Sequence, residues 1–221
     1  MPFEVDVRLR TFTKPPAYVS AVAPGLHIPF NSRLLGRTSL ETRAAVFLDR
    51  DGVLVRDVHY LKKPSQIELL PGIASLPSLQ NRFRLIVATN QSGIGRNLFT
   101  ESDLLLIHSE LVHQLSRQDI LIDAFYYCPH LPSAANEAYR VTCECRKPKP
   151  GLLCRAAADW DIDLKCSYMI GDSPRDMAAG CAAGLAESIL LSDSEVPDSR
   201  SKHQQARDLA AAVKIILGGV S

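Results

Sequence analysis

No stretch of this 221-residue sequence approaches the roughly 20 consecutive apolar residues that a membrane-spanning helix needs, so no membrane span is expected. Charge of one sign is lacking too: 25 Lys and Arg against 24 Asp and Glu leave a net charge of +1. Without a basic excess there is no reason to expect non-specific nucleic-acid binding. No leader is expected either. "MPFEVDVRLRTFTK" puts acids early with no apolar run behind them, which argues against a secretory signal, and Glu4 and Asp6 suit a transit peptide poorly. Cysteine is sparse, with six in the chain. An even count suggests disulfides only in a secreted setting, so a reducing, cytoplasmic compartment is expected. Cys154, Cys166 and Cys181 are scattered and are expected to be small buried hydrophobes.

The chain is long enough for one domain with a good core, or for one domain plus an extension. Its hydrophobic content of 46% is ordinary for a globular protein. Residues 1–43 are rich in Pro and Arg and show no sustained period, although "EVDVRLRTF" alternates like a short strand. They read as an extension. From Ala44 the pattern becomes regular. "AAVFLD" (44–49), "RLIVAT" (84–89), "DAFYYC" (123–128), "SYMIGD" (167–172) and "ESILLS" (187–192) are short apolar runs separated by helical stretches. In "TESDLLLIHSELVHQLSRQ" either Thr100 or Ser102 suits an N-cap, and Leu104, Ile107, Leu111 and Leu115 share one face. His108 and His113 on this helix have no ligand spacing and are expected to be exposed or internally satisfied. "PGIASLPSLQ" predicts a short helix that Pro77 shortens or kinks.

Alternating strands and helices predict an α/β fold, a Rossmann-like parallel sheet covered on both faces. Ligands of such sheets sit beyond the carboxyl ends of the strands, and the polar residues cluster there. "FLDRDGVL" sets Asp49 and Asp51 two apart, so both share one side of an extended chain. Two carboxylates that close repel unless a cation lies between them, which invites a hard divalent metal. Gly52 permits a sharp turn. "ATNQSGIG" offers the Thr89 and Ser92 hydroxyls and the amides of a turn suited to phosphate oxygens. "RKPKPG" offers Lys147 ahead of a helix, and "MIGDSPRDMAAG" offers Asp172 with Asp176 four residues on.

These four segments resemble, in order and spacing, the four signature motifs of the haloacid dehalogenase superfamily of phosphohydrolases. The resemblance covers about residues 44–192. It implies that Asp49 is the nucleophile that takes the phosphoryl group and that Asp51 is the general acid and then the base. It implies that Thr89 and Lys147 hold the phosphoryl oxygens. Magnesium would be bound by Asp49, the main-chain carbonyl of Asp51, and Asp172, with Asp176 behind them orienting Lys147.

The stretch "CPHLPSAANEAYRVTCECRKPKPG" adds Cys128-x-His130 and Cys143-x-Cys145. Three thiolates and one imidazole form a set suited to a closed tetrahedral zinc site, and in a reducing compartment a metal is expected rather than a disulfide. The polar segment between the two pairs reads as a loop with no core of its own, its ends tied by structural zinc so that the loop (128–145) sets Arg146 and Lys147 over the active site. Zinc-bearing superfamily members with these motifs include the heptose-bisphosphate phosphatases and the histidinol-phosphate phosphatases. The chain resembles the heptose branch more, through "FLDRDG", "TNQSGIGR", "YYCPH", "CECRKPKPG" and "YLKKPSQIELLPG". That branch implies a small phosphorylated sugar as substrate, used in activated-heptose and lipopolysaccharide synthesis. Asp57 and Tyr60 would lie on a flap that contacts the sugar. Asn90, Gln91 and Ser92 would line the pocket, and Arg146 would meet the distal end. Ser173 stands where some members carry Lys. About forty residues between Asp49 and Thr89 leave no room for a large cap domain. Two alternatives stay open: a histidinol-phosphate phosphatase, and a zinc-containing binding protein without catalysis. A monomer is expected, with an oligomer through residues 1–43 as the other outcome.

Overall fold

A strand whose two faces are both covered must be apolar on both, and that is how the sheet is built. The computed structural model describes residues 25–27, 43–192 and 203–218. Seven strands form one sheet: β1 (Leu26–His27), β2 (Ala45–Leu48), β3 (Arg84–Asn90), β4 (Ala124–Cys128), β5 (Tyr168–Gly171), β6 (Glu187–Leu191) and β7 (Gln204–Ala206). Their spatial order is β1-β4-β3-β2-β5-β6-β7, and only β1 runs antiparallel to its neighbour. The helices are α1 (Glu101–Ser116), α2 (Gly151–Trp160), α3 (Pro174–Ala183) and α4 (Leu209–Gly218). The parallel α/β sheet expected from the sequence is present.

Alternation along β2 sends Val46 and Leu48 to one face and Ala45 and Phe47 to the other. The first face packs against α1 through Ile107, Leu111 and Leu115, and against α4 through Leu209, Val213 and Ile216. The second packs against α2 and α3 through Leu152, Leu153, Ala156, Met177 and Ala179. Thr100 caps α1: its hydroxyl accepts from the Asp103 N–H while the Asp103 carboxylate accepts from the Thr100 N–H. "PGIASLPSLQ" forms a 3₁₀ helix over Ile73–Leu79 with Pro77 inside it. His108 is fully buried and stacked on Phe125, and His113 is exposed beside Glu110.

Two expectations are corrected. Cys154, Cys166 and Cys181 are exposed, not buried. Cys154 is flanked by the core-facing Leu153 and Ala156 of α2, and Cys181 follows the core-facing Ala179 and Gly180 of α3. Each therefore falls on the outer side of its helix, and Cys166 ends a surface turn. The zinc-loop segment also has packing of its own: Ala134 is buried, and Tyr139 packs with Ile94, Phe99 and Tyr127. Most of residues 1–43, expected to be an extension and including "EVDVRLRTF", lies outside the described residues; Leu26–His27 adds the edge strand β1 beside β4.

Strand order turns outward on both sides of β2, toward β3 and β4 one way and toward β5, β6 and β7 the other. Such a reversal opens a crevice at the carboxyl ends of the strands. Leu48 pairs with Val87 and with Ile170, so the residues just past β2, β3 and β5 arrive together. Between Asp49 and Thr89 the chain makes only a small flap, pinned by bridges from Val55 to Asp51 and to Leu69, and among the described residues no cap domain is inserted.

Candidate active site

The crevice is a cavity of about 500 Å³. Asp49, Asp51, Thr89, Asn90, Gln91, Ser92, Arg146, Lys147, Asp172 and Asp176 line it, and Asp57 and Tyr60 reach it from the flap. All the residues singled out from the four motifs and the flap thus meet at one place.

Asp49 closes β2. Its Oδ1 accepts from the Arg50 main-chain N–H at 2.8 Å and lies 3.1 Å from Lys147 Nζ, which fixes the plane of the carboxylate. Gly52 makes the turn that follows, with φ +79°; a Cβ there would collide with the Asp172 carboxylate, so glycine is required for close approach as well as for conformation. Lys147 is buried and donates to the Ala88 carbonyl at 2.7 Å, and its ammonium lies 2.5 Å from Asp176. Burial opposes its charge, but Asp49 and then Asp176 outweigh burial and hold the pKa above the usual lysine value. Lys147 is therefore a fixed cation.

Asn90 sits between β3 and this lysine. Its side chain donates to the Lys147 carbonyl and accepts from the Lys147 N–H. Gln91 is buried, and its Nε2 donates to both Asp51 Oδ2 and Thr89 Oγ1 at 3.0 Å. Ser173 caps α3, accepting from the Arg175 N–H, and Asp176 completes the capping box.

Asp49, Asp172 and Asp176 each bring a carboxylate oxygen within 4.8 Å of the others. Burial first, then Asp49 and Asp176, pushes Asp172 up to about 6. One ammonium cannot offset three carboxylates, so the group fits a hard divalent cation with oxygen ligands.

The second cluster lies beside it. Cys128 ends β4, and its carbonyl accepts from the Gln91 N–H at 2.8 Å. The sulfur of Cys128 lies 3.6 Å from that of Cys143 and 3.2 Å from that of Cys145, and Cys143 and Cys145 are 3.3 Å apart. His130 Nδ1 is 3.3 Å from Cys145 and 3.7 Å from Cys128. A tetrahedron with zinc–sulfur bonds of about 2.3 Å has edges of about 3.8 Å, so the four atoms are close to the size that a zinc ion needs. The Cys128 thiol, more than Cys143 and His130, pulls Cys145 down to about 5 against the effect of burial. The hydrogen bond to Cys145, and then burial, push its partner Cys128 up, so the two sulfurs share a proton that a metal ion taking both as thiolates would displace. Arg146 follows at once, and its Nη1 donates to the His130 carbonyl at 3.3 Å.

Sequence reasoning missed several cavity residues: Arg50, His59, Leu61, Gly93, Arg96, Pro174 and Arg175 also line it, as does Ser173. Arg50 stood inside a motif that was read, but nothing marked it, since an arginine that is 1% exposed is uncommon.

Residues 144–213 match the HAD-hydrolase-like family model. The chain is 41% identical over 151 residues to the D-glycero-alpha-D-manno-heptose-1,7-bisphosphate 7-phosphatase of Campylobacter jejuni, spanning 67% of this chain and 83% of that protein. It is 39% identical over 149 residues to the D-glycero-beta-D-manno-heptose-1,7-bisphosphate 7-phosphatase of Rhodopseudomonas palustris, spanning 66% of this chain and 83% of that one. The fold superposes on the crystal structure of D,D-heptose 1,7-bisphosphate phosphatase from B. bronchiseptica in complex with magnesium and phosphate. The TM-score is 0.67 at 31% identity, covering 80% of this chain and 99% of that one. With its motif residues gathered in one crevice and relatives this similar over most of their length, the chain belongs to the haloacid dehalogenase-like hydrolases, among their phosphoric monoester hydrolases.

Proposed function

We propose that this enzyme removes the 7-phosphate of a D-glycero-D-manno-heptose 1,7-bisphosphate, on the route to nucleotide-activated heptose for the lipopolysaccharide core, by way of an aspartyl-phosphate. Asp49 is the nucleophile: a bond forms between its carboxylate oxygen and phosphorus as the bond from phosphorus to the C7 oxygen breaks. Asp51 gives a proton to that leaving oxygen, then takes one from the water that frees inorganic phosphate. Lys147, the Thr89 hydroxyl and the turn amides hold the oxygens over which negative charge spreads during transfer. Asp176 keeps Lys147 aimed, consistent with their 2.5 Å contact. Asp57, Tyr60, Asn90, Gln91 and Ser92 shape the pocket around the sugar, and Arg146 receives the distal phosphate.

Magnesium on Asp49, the Asp51 carbonyl and Asp172 would neutralise charge on the phosphoryl oxygens. Zinc on Cys128, His130, Cys143 and Cys145 would hold the two ends of the loop together and so fix the backbone that carries Arg146 and Lys147.

The observation that carries the substrate is the pair of neighbouring cations Arg146 and Lys147 in one cavity. A bisphosphate has one phosphate for each. Histidinol phosphate has a cationic amine at its far end and would leave Arg146 unmatched. Phosphate release from heptose 1,7-bisphosphate, histidinol phosphate and a panel of sugar monophosphates tests this. The bisphosphate should show the highest kcat/KM, and a higher value for histidinol phosphate overturns the assignment.

A further inference from the structure

Arg50 lies between the two aspartates of "DRD", yet it is buried, at 1% exposed. A buried guanidinium is costly unless its donors are met, and here they are. Nε donates to Asp51 Oδ1 at 3.1 Å, and Nη2 donates to Asp51 Oδ1 at 3.0 Å and to Oδ2 at 2.9 Å. Nη2 also donates to Gln91 Oε1 at 3.0 Å. Nη1 lies 3.4 Å from His108 Nε2, and since a guanidinium only donates, that nitrogen accepts. The His108 ring is itself held by stacking on Phe125, with centroids 4.3 Å apart. Gln91 closes the ring of contacts, since the amide that accepts from Arg50 also donates to Asp51 Oδ2.

We infer that Arg50, braced by His108 and Gln91, is a positioning residue that fixes the plane and direction of the Asp51 carboxylate for proton transfer to the leaving oxygen. Asp51 begins the flap turn, and its side chain is 25% exposed, so its hold comes from the buried side, from Arg50 and Gln91. A forked guanidinium grips both carboxylate oxygens, which a lysine ammonium cannot do. Displacing an acid by about 1 Å costs on the order of 10²-fold in rate. The inference rests on the reading of Asp51 as the acid of the first step, and its test separates the two.

The test compares kcat/KM for a sugar phosphate, whose alkoxide needs a proton to leave, with kcat/KM for p-nitrophenyl phosphate, whose phenolate does not. Asp51→Asn should lose on the order of 10²-fold on the sugar phosphate and little on the aryl ester. Arg50→Lys should lose on the order of tenfold on the sugar phosphate, again with little effect on the aryl ester, and should add no further loss on top of Asp51→Asn. Arg50→Met, which keeps the stem and removes the charge, should behave like Arg50→Lys. Equal losses on both substrates, or losses that multiply in the double variant, overturn the role of Arg50. An Asp51→Asn enzyme with no leaving-group dependence overturns the underlying assignment of Asp51 instead. If neither Arg50 variant folds, Arg50 is a residue of the fold and the inference fails.

Discussion

Asn90 and Lys147 hold each other by a reciprocal pair of hydrogen bonds: the Asn90 amide donates to the Lys147 carbonyl at 3.0 Å and its oxygen accepts from the Lys147 N–H at 3.1 Å. The two residues are 57 apart in sequence. One ends β3 and the other begins the run into α2, so this pair sews the turn after β3 to the buried lysine of the crevice. Asn90→Ala would leave both main-chain groups of Lys147 without these partners. Each such loss costs about 1–3 kcal/mol when the group is buried, so thermal unfolding should shift down by several degrees. Turnover should fall with it, by on the order of tenfold, because Lys147 no longer meets Asp49 at a fixed distance. A variant that is destabilised but fully active would show that Lys147 needs no such anchor.

Asp49→Asn nearly preserves shape and removes the carboxylate proposed as the nucleophile. The Arg50 main-chain N–H still has an oxygen to donate to, and Lys147 keeps Asp176, so the fold should survive. Turnover should drop by more than 10², and no acid-stable phosphoryl group should remain on the protein after quenching. Rapid-quench trapping of wild-type enzyme with labelled substrate is the matching positive measurement. An Asp49→Asn enzyme that keeps more than a few per cent of the wild-type rate removes Asp49 from the nucleophile's position.

The strand-end residues were legible because phosphoryl chemistry needs particular residue types and a parallel sheet brings strand ends to one edge. Asp49, Thr89 and Asp172 were placed at the crevice that way, and Lys147 by its position just ahead of α2. Arg50 was not, since its partners Gln91 and His108 lie 41 and 58 residues away and no local pattern announces a buried ion network. The edge strands Leu26–His27 and Gln204–Ala206 have two and three residues, too few to show a period of two. Cys154 and Cys181 were misjudged because residue type was weighed without helix phase. Tyr139 lay in a stretch whose polar composition hid one aromatic anchor.

Zinc should copurify at about one ion per chain, separable from magnesium by elemental analysis. Removing it with a chelator at neutral pH should make residues 140–145 protease-sensitive before the rest of the loop. Tyr139 and Ala134 have packing that does not depend on metal, so cleavage should begin C-terminal to them. Protein free of zinc that retains full activity and a protected loop would falsify the structural role given to the ion.

Glu101, at the start of α1, accepts from the hydroxyls of both Tyr127 and Tyr139, at 2.6 and 2.8 Å. Burial, then this carboxylate, raises Tyr139 from 10 to about 12, and the same two causes raise Tyr127. A phenol that stays protonated longer in the folded chain than in the unfolded one contributes stability that is complete below pH 10 and lost as pH rises through 12. Stability should therefore decline over that window, and the 295 nm absorbance should show at least two tyrosines ionising only with unfolding. Tyr139→Phe should flatten the decline. An unchanged profile in that variant would mean that Tyr139 ionises freely.

Arg146 and Lys147 are adjacent, yet their surroundings assign them different work. Lys147 is sealed against Asp49 and Asp176, whereas Arg146 is partly open to the cavity and its guanidinium donates to the His130 carbonyl at 3.3 Å. Its guanidinium keeps donors for a ligand, and two parallel bonds to a phosphate suit its geometry. A charge-assisted hydrogen bond is worth roughly 1.5–3 kcal/mol, so Arg146→Ala should cost on the order of ten- to a hundredfold in kcat/KM for a bisphosphate. For a sugar monophosphate lacking the distal group the same change should cost under about threefold, a small effect on this energy scale. The difference should sit mainly in KM, because the distal phosphate is bound equally before and during transfer. Arg146→Lys should recover only part of the loss, since a single ammonium cannot make the paired contact. Equal effects on both substrates would move Arg146 out of the distal subsite and leave it with the other role its geometry allows, bracing the His130 main chain beside the metal-ligand cluster.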